Sequence, residues 1–333
     1  MKDKPILLCF GTRPEWLKIK PLVKLMDRSE YKLLFTGQHT DLLKDVEVDY
    51  KITISENSNR LDSIISDCML QFPNGDFRGV LVQGDTGSVF GCGLAAFNRK
   101  IRIYYLEAGL RSGNLQHPYP EEGYRQMIAR ISDVNFTPTE LSAQNLKDEK
   151  VHGEIHIVGN SVLDNLIEFG KPTMLNKILI TLHRRENHHW MDSWFTEIER
   201  LALEYPHYEF ILPIHPNPNV KKHRHILKNV TVLEPLEHKD LINIMLETNL
   251  IISDSGGLQE EGSFFNKKVI VCRKTTERPE GIDTGHLHMC ESPQHLNKLF
   301  GKLIENPYIS ENCPYGDGNT SKSVLEILRN EKL

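Results

Sequence analysis

The sequence predicts an α/β protein made of two doubly wound domains, each with a parallel sheet covered by helices on both faces. Short apolar runs recur along the chain, and each is followed by a turn and then by a helix-like pattern. The runs fall into two series, separated by a stretch that contains glycine and proline. At 333 residues the chain also exceeds what one hydrophobic core usually fills.

The first series predicts the strands of an N-terminal Rossmann-like domain, 1–169. After its first run, apolar residues recur at helical spacing and predict a helix with one buried face. Thr12 and Glu15 have the spacing of a capping box and predict where that helix begins. The predicted strands of this domain lie in PILLCFGT, YKLLFTG, RGVLVQGDT, IRIYYLEAG, SDVNFTPT and EIHIVGNS.

The second series predicts a C-terminal domain, 170–315, with a hinge near Gly170 and Pro172. The last segment, 316–333, is predicted to be a closing helix able to pack back on the first domain. Ligands of open α/β sheets bind beyond the carboxyl ends of the strands, so we expect the site in the cleft between the domains. The strands of the second domain are predicted in KILITLH, YEFILPIH, VTVLEPL, LIISDSGG and KVIVCR.

Composition limits the possible partners. The sequence has 40 Lys and Arg against 45 Asp and Glu, a formal net charge of −5. No global positive field therefore favours nucleic acid, and local groups have to bind any anionic ligand. The N-terminal apolar run is too short for a signal peptide, and no apolar run is long enough to cross a membrane. We therefore expect a cytoplasmic protein with neither a nucleic-acid nor a membrane partner.

Cysteine and histidine patterns do not predict a metal site. No C-x-x-C pair occurs, and three cysteines lie in or beside apolar runs, so buried free thiols are favoured over disulfides or zinc ligands. The histidines of KKHRHILK and TGHLHMC lack a thiolate or carboxylate arrangement that would complete a metal geometry, and are interpreted as solvated. The six cysteines are Cys9, Cys68, Cys92, Cys272, Cys290 and Cys313.

Three segments at predicted strand ends could bind phosphate. In GTRPEWLK, Arg13 and Lys18 lie near a helix N-terminus, where phosphate recognition and a solvated face are both possible. In ISDSGGLQEEG, a serine and two glycines precede a helix, which suits a diphosphate but also an ordinary N-cap. In TLHRREN, His183 and Arg184 suit a phosphorylated leaving group, with a salt-bridged strand end as the alternative. The remaining candidates for ligand binding are His215, Ser255, Gly256, Gly257 and Glu261.

Carboxylates cluster after two neighbouring predicted strands. Asp85 follows RGVLVQ, Glu107 follows IRIYYL, and Glu121 and Glu122 lie in the constrained segment PYPEEGYR. Carboxylates crowded in a partly dry site raise one another's pKa, which makes proton transfer feasible near neutrality. A solvent-facing loop is the alternative. GCGLAA fits a dinucleotide fingerprint, but it begins too far after its strand, so it predicts a closely packed helix and no NAD site.

Taken together, these motifs resemble the non-hydrolysing UDP-N-acetylglucosamine 2-epimerases. The motifs that carry the resemblance are GTRPEWLK, TGQH, QGDT, EAGLR, PYPEEGYR, TLHRREN, HPNPNV, DSGGLQEE and TTERPEG. The resemblance implies the GT-B architecture of two Rossmann-like domains with an interdomain cleft. It also implies interconversion of UDP-GlcNAc and UDP-ManNAc with no cofactor and no required metal. In this reaction the C2 proton is removed, UDP is eliminated, and UDP adds again to bound 2-acetamidoglucal.

The resemblance also implies roles for individual residues. Asp85, Glu107 and Glu121 are the acid–base candidates, and Glu261 resembles the acid that binds ribose. The groups implied to hold the diphosphate and stabilise it as it departs are Arg13, Lys18, His183 and Ser255, next to the further substrate-binding candidates Arg184, His215, Gly256 and Gly257.

The resemblance implies a homodimer that contacts through the N-terminal domain, and a possible regulatory site. Gln38 and His39 match residues that bind a second UDP-GlcNAc in some members, whereas Asp41 departs from the pattern. The sequence leaves four alternatives open. They are an epimerase of a modified UDP-sugar, such as a 2,3-diacetamido-glucuronate or N-acetylfucosamine nucleotide, a hydrolysing 2-epimerase, a GT-B glycosyltransferase, and a catalytically silent sugar-nucleotide-binding module.

Overall fold

The structure is a computed structural model, and it describes residues 4–38, 46–56 and 58–331. The chain divides into two compact units. Unit 1 comprises Met1–Asn165 and Gly316–Leu333, and unit 2 comprises Leu166–Tyr315. The chain therefore leaves the first unit, forms the second, and returns to the first at its C-terminus.

Unit 1 contains a parallel sheet that has seven strands in the described residues, in the order β3-β2-β1-β4-β5-β6-β7. The strands β1, β4, β5 and β6 are buried along their whole length, as expected for a parallel sheet covered on both faces. The strands are β1 (Ile6–Phe10), β2 (Tyr31–Phe35), β3 (Tyr50–Lys51), β4 (Gly79–Gln83), β5 (Ile103–Leu106), β6 (Val134–Thr137) and β7 (Glu154–Ile157).

Helices cover both faces of this sheet, because successive side chains of each strand point to opposite faces and both faces are apolar. Leu7 and Cys9 of β1 face one apolar cluster, while Leu8 and Phe10 face the other. The second cluster also includes residues of the last helix of the chain. The helices of unit 1 are α1 (Arg13–Leu25), α2 (Arg60–Leu70), α3 (Gly87–Asn98), α4 (Glu121–Ile131), α5 (Glu140–Asp148) and α12 (Thr320–Asn330).

Unit 2 repeats this design with a parallel sheet of six strands in the part of the chain that the structure describes. Its strand order is β10-β9-β8-β11-β12-β13. The strands are β8 (Lys177–Thr181), β9 (Glu209–Pro213), β10 (Thr231–Leu233), β11 (Leu250–Ser253), β12 (Lys268–Val271) and β13 (Leu287–Met289). The helices are α6 (Met191–Glu204), α7 (Pro218–Lys221), α8 (His238–Glu247), α9 (Gly256–Phe264), α10 (Glu280–Asp283) and α11 (Leu296–Ile304).

These two doubly wound units confirm the predicted fold class. GCGLAA lies inside α3, and a side chain at either of its glycines would collide: a Cβ on Gly91 would lie 2.7 Å from Cβ of Cys68, and one on Gly93 would lie 2.4 Å from Cδ1 of Ile128. The segment is therefore a closely packed helix, as predicted. No helix in residues 4–38, 46–56 and 58–331 is long and apolar enough to cross a membrane.

The cysteine prediction is confirmed, and one histidine prediction is wrong. Five of the six cysteines are buried free thiols, and Cys313 is partly exposed. TGHLHMC is not a solvated face, because His286 is fully buried and the residues after it form β13. His286 Nδ1 lies 2.8 Å from Thr284 Oγ1, so a local hydroxyl satisfies the buried ring. A three-residue strand is too short for its alternation to be recognised in the sequence.

Candidate functional site

The predicted motifs lie at the two places where strand order reverses. In unit 1 the sheet runs outward in both directions from β1 and β4, and in unit 2 from β8 and β11. Ligands of doubly wound proteins bind at the carboxyl ends of such strand pairs. GTRPE follows β1, QGDT follows β4, TLHRREN follows β8, and DSGG follows β11. Each unit therefore carries its candidate residues where its topology favours a site.

The start of α1 has the predicted capping box. Thr12 is the N-cap, its Oγ1 accepts a 3.5 Å bond from the Glu15 amide, and Glu15 Oε2 accepts a 3.1 Å bond from the Thr12 amide. Arg13 occupies the first helical position and is exposed. The helix start therefore presents a cation on a rigid turn at the carboxyl end of β1.

Glu107 lies in a buried polar pocket directly after β5. Its carboxylate accepts bonds from Lys18 Nζ at 2.5 Å, from Asn160 Nδ2 at 3.3 Å, and from Gln83 Nε2. The Lys18 and Glu107 side chains are only 13% and 7% exposed, so this ion pair is shielded from water. Glu107 also has a φ of +66°, an uncommon conformation for a residue with a side chain. The surroundings hold this carboxylate in one orientation.

Asp85 is held by an arginine that the sequence analysis did not assign. Arg125 of α4 donates from Nε at 2.8 Å and forms an ion pair through Nη2 at 2.6 Å, both to Asp85 Oδ2. Arg125 Nη1 in turn donates to Glu122 at 3.3 Å. Glu122 is fully buried and also accepts the Ser112 amide at 2.9 Å. Glu122 thus holds the Arg125 guanidinium in place. The Asp85 side chain itself is 28% exposed.

Glu121 is the first residue of α4 and directly precedes Glu122. Its Oε2 atom is buried and has no hydrogen-bond partner among the described residues. A buried carboxylate oxygen without a donor is costly unless it is protonated or meets a ligand. Of the three acid–base candidates, Glu107 faces a lysine, Asp85 faces an arginine, and Glu121 has an oxygen without a donor in the part of the chain that the structure describes.

In unit 2, the buried Asp254 organises the turn after β8. Its carboxylate accepts bonds from the amides of His183 at 3.0 Å and Arg184 at 2.9 Å, and from Asn187 Nδ2 at 2.9 Å. Asn187 Nδ2 also reaches the carbonyl of Cys272 at 2.9 Å. TLHRREN is therefore fixed to the end of β11 by a residue that belongs to DSGG.

The rings of His183 and His215 are stacked, with centroids 4.9 Å apart and an angle of 17° between planes. Burial lowers the pKa of both imidazoles, and the Asp254 carboxylate partly opposes this effect for each. Both rings are therefore predominantly neutral at pH 7, and each carries one N–H donor. The structure brings these two candidates together, although they lie on different strand ends.

The guanidinium of Arg184 is also suited to binding an anion. Its Nε atom is buried and has no hydrogen-bond partner within the described ranges. The guanidinium lies on the same turn as His183, whose backbone Asp254 fixes. Arginine binds phosphate through several N–H groups at once, so a bound phosphate would satisfy this donor.

The start of α9 has the features of an anion site. Ser255 is the N-cap, but its side chain makes no capping bond. A Cβ on Gly256 would lie 2.9 Å from Nη1 of Arg278, so this guanidinium lies against the first helical residue. Arg278 Nε donates to Glu260 at 2.6 Å, which fixes its position. The helix start therefore combines a hydroxyl, N-terminal amides and an adjacent cation.

Glu261 is buried in the same helix and lies 2.7 Å from His238 Nε2 through Oε1. This contact orients the carboxylate and leaves its other oxygen available to accept from a hydroxyl group.

The possible regulatory residues are only partly described. Gln38 Oε1 accepts bonds from the Ser88 amide at 3.2 Å and from Ser88 Oγ at 2.7 Å, so Gln38 is tied to the first turn of α3. His39 and Asp41 lie outside the described residues.

Sequence reasoning missed the partners that hold the candidates in place. Each of them lies far along the chain from the residue it holds, and short motifs do not signal such distant pairs. These partners are Gln83, Arg125, Asn160, His238, Asp254 and Arg278.

Two parallel doubly wound sheets, each with polar residues at its switch point, place the chain in the GT-B class of α/β proteins. The family model for UDP-N-acetylglucosamine 2-epimerase matches residues 24–329. The chain belongs to this family.

Individual relatives agree with that assignment. The chain is 36% identical to a UDP-N-acetylglucosamine 2-epimerase of Neisseria meningitidis, over 97% of this chain and 98% of the relative. A crystal structure of UDP-GlcNAc 2-epimerase from N. meningitidis bound to UDP-GlcNAc has a TM-score of 0.87 and 33% identity, covering 98% of this chain and 100% of that one. The Methanocaldococcus jannaschii enzyme in complex with UDP-GlcNAc and UDP has a TM-score of 0.81 and 25% identity, covering 98% of this chain and 100% of that one.

Proposed function

We propose that this protein interconverts UDP-GlcNAc and UDP-ManNAc without net hydrolysis. A carboxylate removes the C2 proton while the bond from C1 to the diphosphate oxygen breaks. This elimination gives 2-acetamidoglucal and UDP, and re-addition with protonation of the opposite face of C2 gives the epimer. Membership of the family, together with its solved relatives that bind UDP-GlcNAc, supports this substrate.

The observation that carries the proposal is the set of three carboxylates in unit 1. Epimerisation needs one group that removes a proton and another that delivers one. Asp85 and Glu107 each form an ion pair with a cation, whereas a buried oxygen of Glu121 has no donor within residues 4–38, 46–56 and 58–331. Three carboxyls with different partners provide separate candidates for the roles of base and acid.

Unit 2 supplies groups suited to the departing UDP. Negative charge develops on the diphosphate oxygen as the C1–O bond breaks, so donors aimed there stabilise the transition state more than the ground state. In this role we place the neutral imidazole of His183, the guanidinium of Arg184, and Ser255 with the amides of Gly256 and Gly257 at the start of α9.

The remaining candidates complete the proposed substrate contacts. His215 supports His183 through the ring stack, and Glu261 accepts from ribose hydroxyls. Arg13 contributes positive charge for the diphosphate from the start of α1, and Lys18 acts through Glu107, to which it is bonded. We retain two family expectations as proposals: a homodimer through unit 1, and a regulatory role for Gln38 and His39.

Products distinguish this proposal from its rivals. Purified protein is incubated with UDP-GlcNAc alone, and nucleotides and free sugars are separated by chromatography. The proposal predicts UDP-ManNAc at equilibrium with UDP-GlcNAc and no accumulation of UDP. Stoichiometric UDP with free ManNAc would instead establish a hydrolysing epimerase. UDP release only on addition of an acceptor would establish a glycosyltransferase.

A further inference from the structure

We propose that Glu15 is a positioning residue for the turn that carries Asp85, acting through its hydrogen bond to Thr86. The Glu15–Thr86 bond is called the clasp below. The inference deepens the proposed function, on which it rests, because it explains how one acid–base residue is held at the switch point of unit 1.

Glu15 uses its two carboxylate oxygens for different purposes. Oε2 accepts the amides of Gly11 at 2.6 Å and Thr12 at 3.1 Å, which completes the capping box of α1. Oε1 accepts the hydroxyl of Thr86 at 2.6 Å, across 71 residues of sequence. The capping box needs only Oε2, so the clasp is an additional contact that joins the turn after β1 to the turn after β4.

Thr86 makes the clasp relevant to Asp85, its neighbour in the chain. Thr86 is the N-cap of α3, and its Oγ1 also accepts the amide of Val89 at 3.3 Å. The hydroxyl of Thr86 therefore fixes the backbone directly after Asp85, because it caps α3 and also donates to Glu15. On the other side, Arg125 holds the Asp85 carboxylate itself. The clasp and the ion pair together leave Asp85 little freedom to move.

The chemistry of Glu15 exceeds what a helix cap requires. The residue is 3% exposed, and burial of a carboxylate carries a desolvation cost that an amide side chain would avoid. The Asp85 carboxylate adds like charge close to Glu15. The groups around Glu15 are the Gly11 and Thr12 amides, the Thr86 hydroxyl and this carboxylate. The capping box accounts for Oε2 of Glu15, whereas Oε1 is used by the clasp.

The test compares two threonines that cap helices in unit 1. Thr86→Val removes the α3 cap and the clasp together. Thr139→Val removes the corresponding cap of α5, where Thr139 accepts the Ser142 amide at 3.1 Å. Each of these two variants loses a helix cap worth about 1 kcal/mol, so the loss of the cap should lower their stability by similar amounts. Thr86→Ser keeps a hydroxyl and serves as the conservative variant, and Glu15→Gln removes the charge.

Turnover of UDP-GlcNAc is measured for all variants together with the melting temperature. We expect Thr86→Val and Glu15→Gln to lower kcat by about tenfold or more, with KM changed by less than about threefold. We expect Thr86→Ser and Thr139→Val to stay within about threefold of wild type. Wild-type kcat in Thr86→Val, or equal losses in Thr86→Val and Thr139→Val, would overturn the proposal.

Hydrogen exchange separates failure of this inference from failure of the proposed function. If wild-type protein does not epimerise UDP-GlcNAc, the proposed function fails, yet the clasp can still be judged from the backbone. Glu15→Gln should then accelerate amide exchange at residues 84–89 by about tenfold, while the first turn of α5 exchanges as in wild type. Unchanged exchange at residues 84–89 would show that Glu15 does not position the turn.

Discussion

At the residue scale, the acid–base candidates differ in the group that each one faces. Glu107 lies against Lys18 inside the unit, while Asp85 lies against Arg125 and keeps some exposure to solvent. Asp85 is the more accessible of the two, which suits it to meet the substrate directly.

Asp85→Asn should abolish exchange of the C2 proton. The amide cannot act as a base, but it keeps the size of the side chain and can still accept a bond from Arg125. Asp85 is not among the groups proposed to bind UDP, so the affinity for UDP should change by less than about threefold. Exchange is followed by deuterium incorporation, and UDP binding by calorimetry.

Asp27→Asn is the matched control for this substitution, since Asp27 is exposed in a turn of the same unit. Wild-type exchange in Asp85→Asn would remove Asp85 from the mechanism. Loss of UDP binding would indicate a fault in folding rather than in proton transfer.

The buried carboxyl of Glu15 makes stability depend on pH. Burial raises its pKa from the ordinary 4.5 to about 7. Because the pKa is higher in the folded state than in the unfolded state, the protonated carboxyl stabilises the fold. This stabilisation is fully present below the pKa of the unfolded state and is lost as pH rises through the pKa of the folded state. Relative to Glu15→Gln, wild type should therefore lose about 2 to 3 kcal/mol between about pH 5 and about pH 8.

Urea unfolding of both proteins across this range measures that difference. Interactions that do not titrate cancel in the comparison, because only the change with pH is used. A difference between the two proteins that stays constant with pH would show that Glu15 does not titrate in this range.

At the element scale, single ion pairs join helices to strand ends. Lys18 projects from α1 to Glu107 at the end of β5, and Arg125 projects from α4 to Asp85 at the end of β4. Buried pairs of this kind contribute little net stability, but removal of one partner leaves an uncompensated charge. The relative positions of helix and strand should therefore be sensitive to single substitutions at either partner.

Lys18→Met should destabilise the protein by about 3 kcal/mol, because Glu107 then stays buried without its cation. Addition of Glu107→Gln should recover part of that loss, since the second charge is removed as well. Unfolding in denaturant of the two single variants and the double variant gives the coupling energy. Additive losses would contradict the interpretation of Lys18 and Glu107 as one buried pair.

Helix α12 is the element that returns the chain to unit 1. Leu328 of α12 is fully buried in the same apolar cluster as Ile19 and Leu22 of α1. Leu328→Ala should cost about 2 to 4 kcal/mol, because it removes buried methyl groups and leaves a cavity. Glu326→Ala on the exposed face of the same helix should cost less than about 0.5 kcal/mol.

Thermal unfolding of the two α12 variants compares their losses directly. Equal losses would mean that α12 does not contribute to the core of unit 1.

Sequence reasoning succeeded wherever the signal was local. The capping box of α1 was predictable because Thr12 and Glu15 are three residues apart, and strand–turn–helix units were predictable from short periodic runs. The clasp spans 71 residues and the Arg125–Asp85 bond spans 40, so no local pattern signals either contact. The candidate site residues could therefore be proposed from the sequence, whereas the partners that orient them could not.

At the scale of the whole molecule, each unit contributes one half of the proposed chemistry. Unit 1 carries the carboxylates at the ends of β4 and β5, and unit 2 carries the donors for UDP at the ends of β8 and β11. In the proposed mechanism, proton transfer therefore belongs to unit 1 and stabilisation of the leaving group belongs mainly to unit 2. Substitution of the carboxylates in unit 1 should therefore lower kcat with little change in UDP affinity, whereas substitutions at the start of α9 should lower both kcat and UDP affinity.

Proton NMR of the purified protein with UDP-GlcNAc in D2O, with no cofactor added, shows whether the C2 proton exchanges while UDP is retained. We expect a new anomeric signal of UDP-ManNAc, with deuterium at C2 of the product and no accumulation of UDP. Free ManNAc with stoichiometric UDP, or epimer that retains its C2 proton, would contradict the proposed mechanism. An unchanged spectrum would contradict UDP-GlcNAc as the substrate.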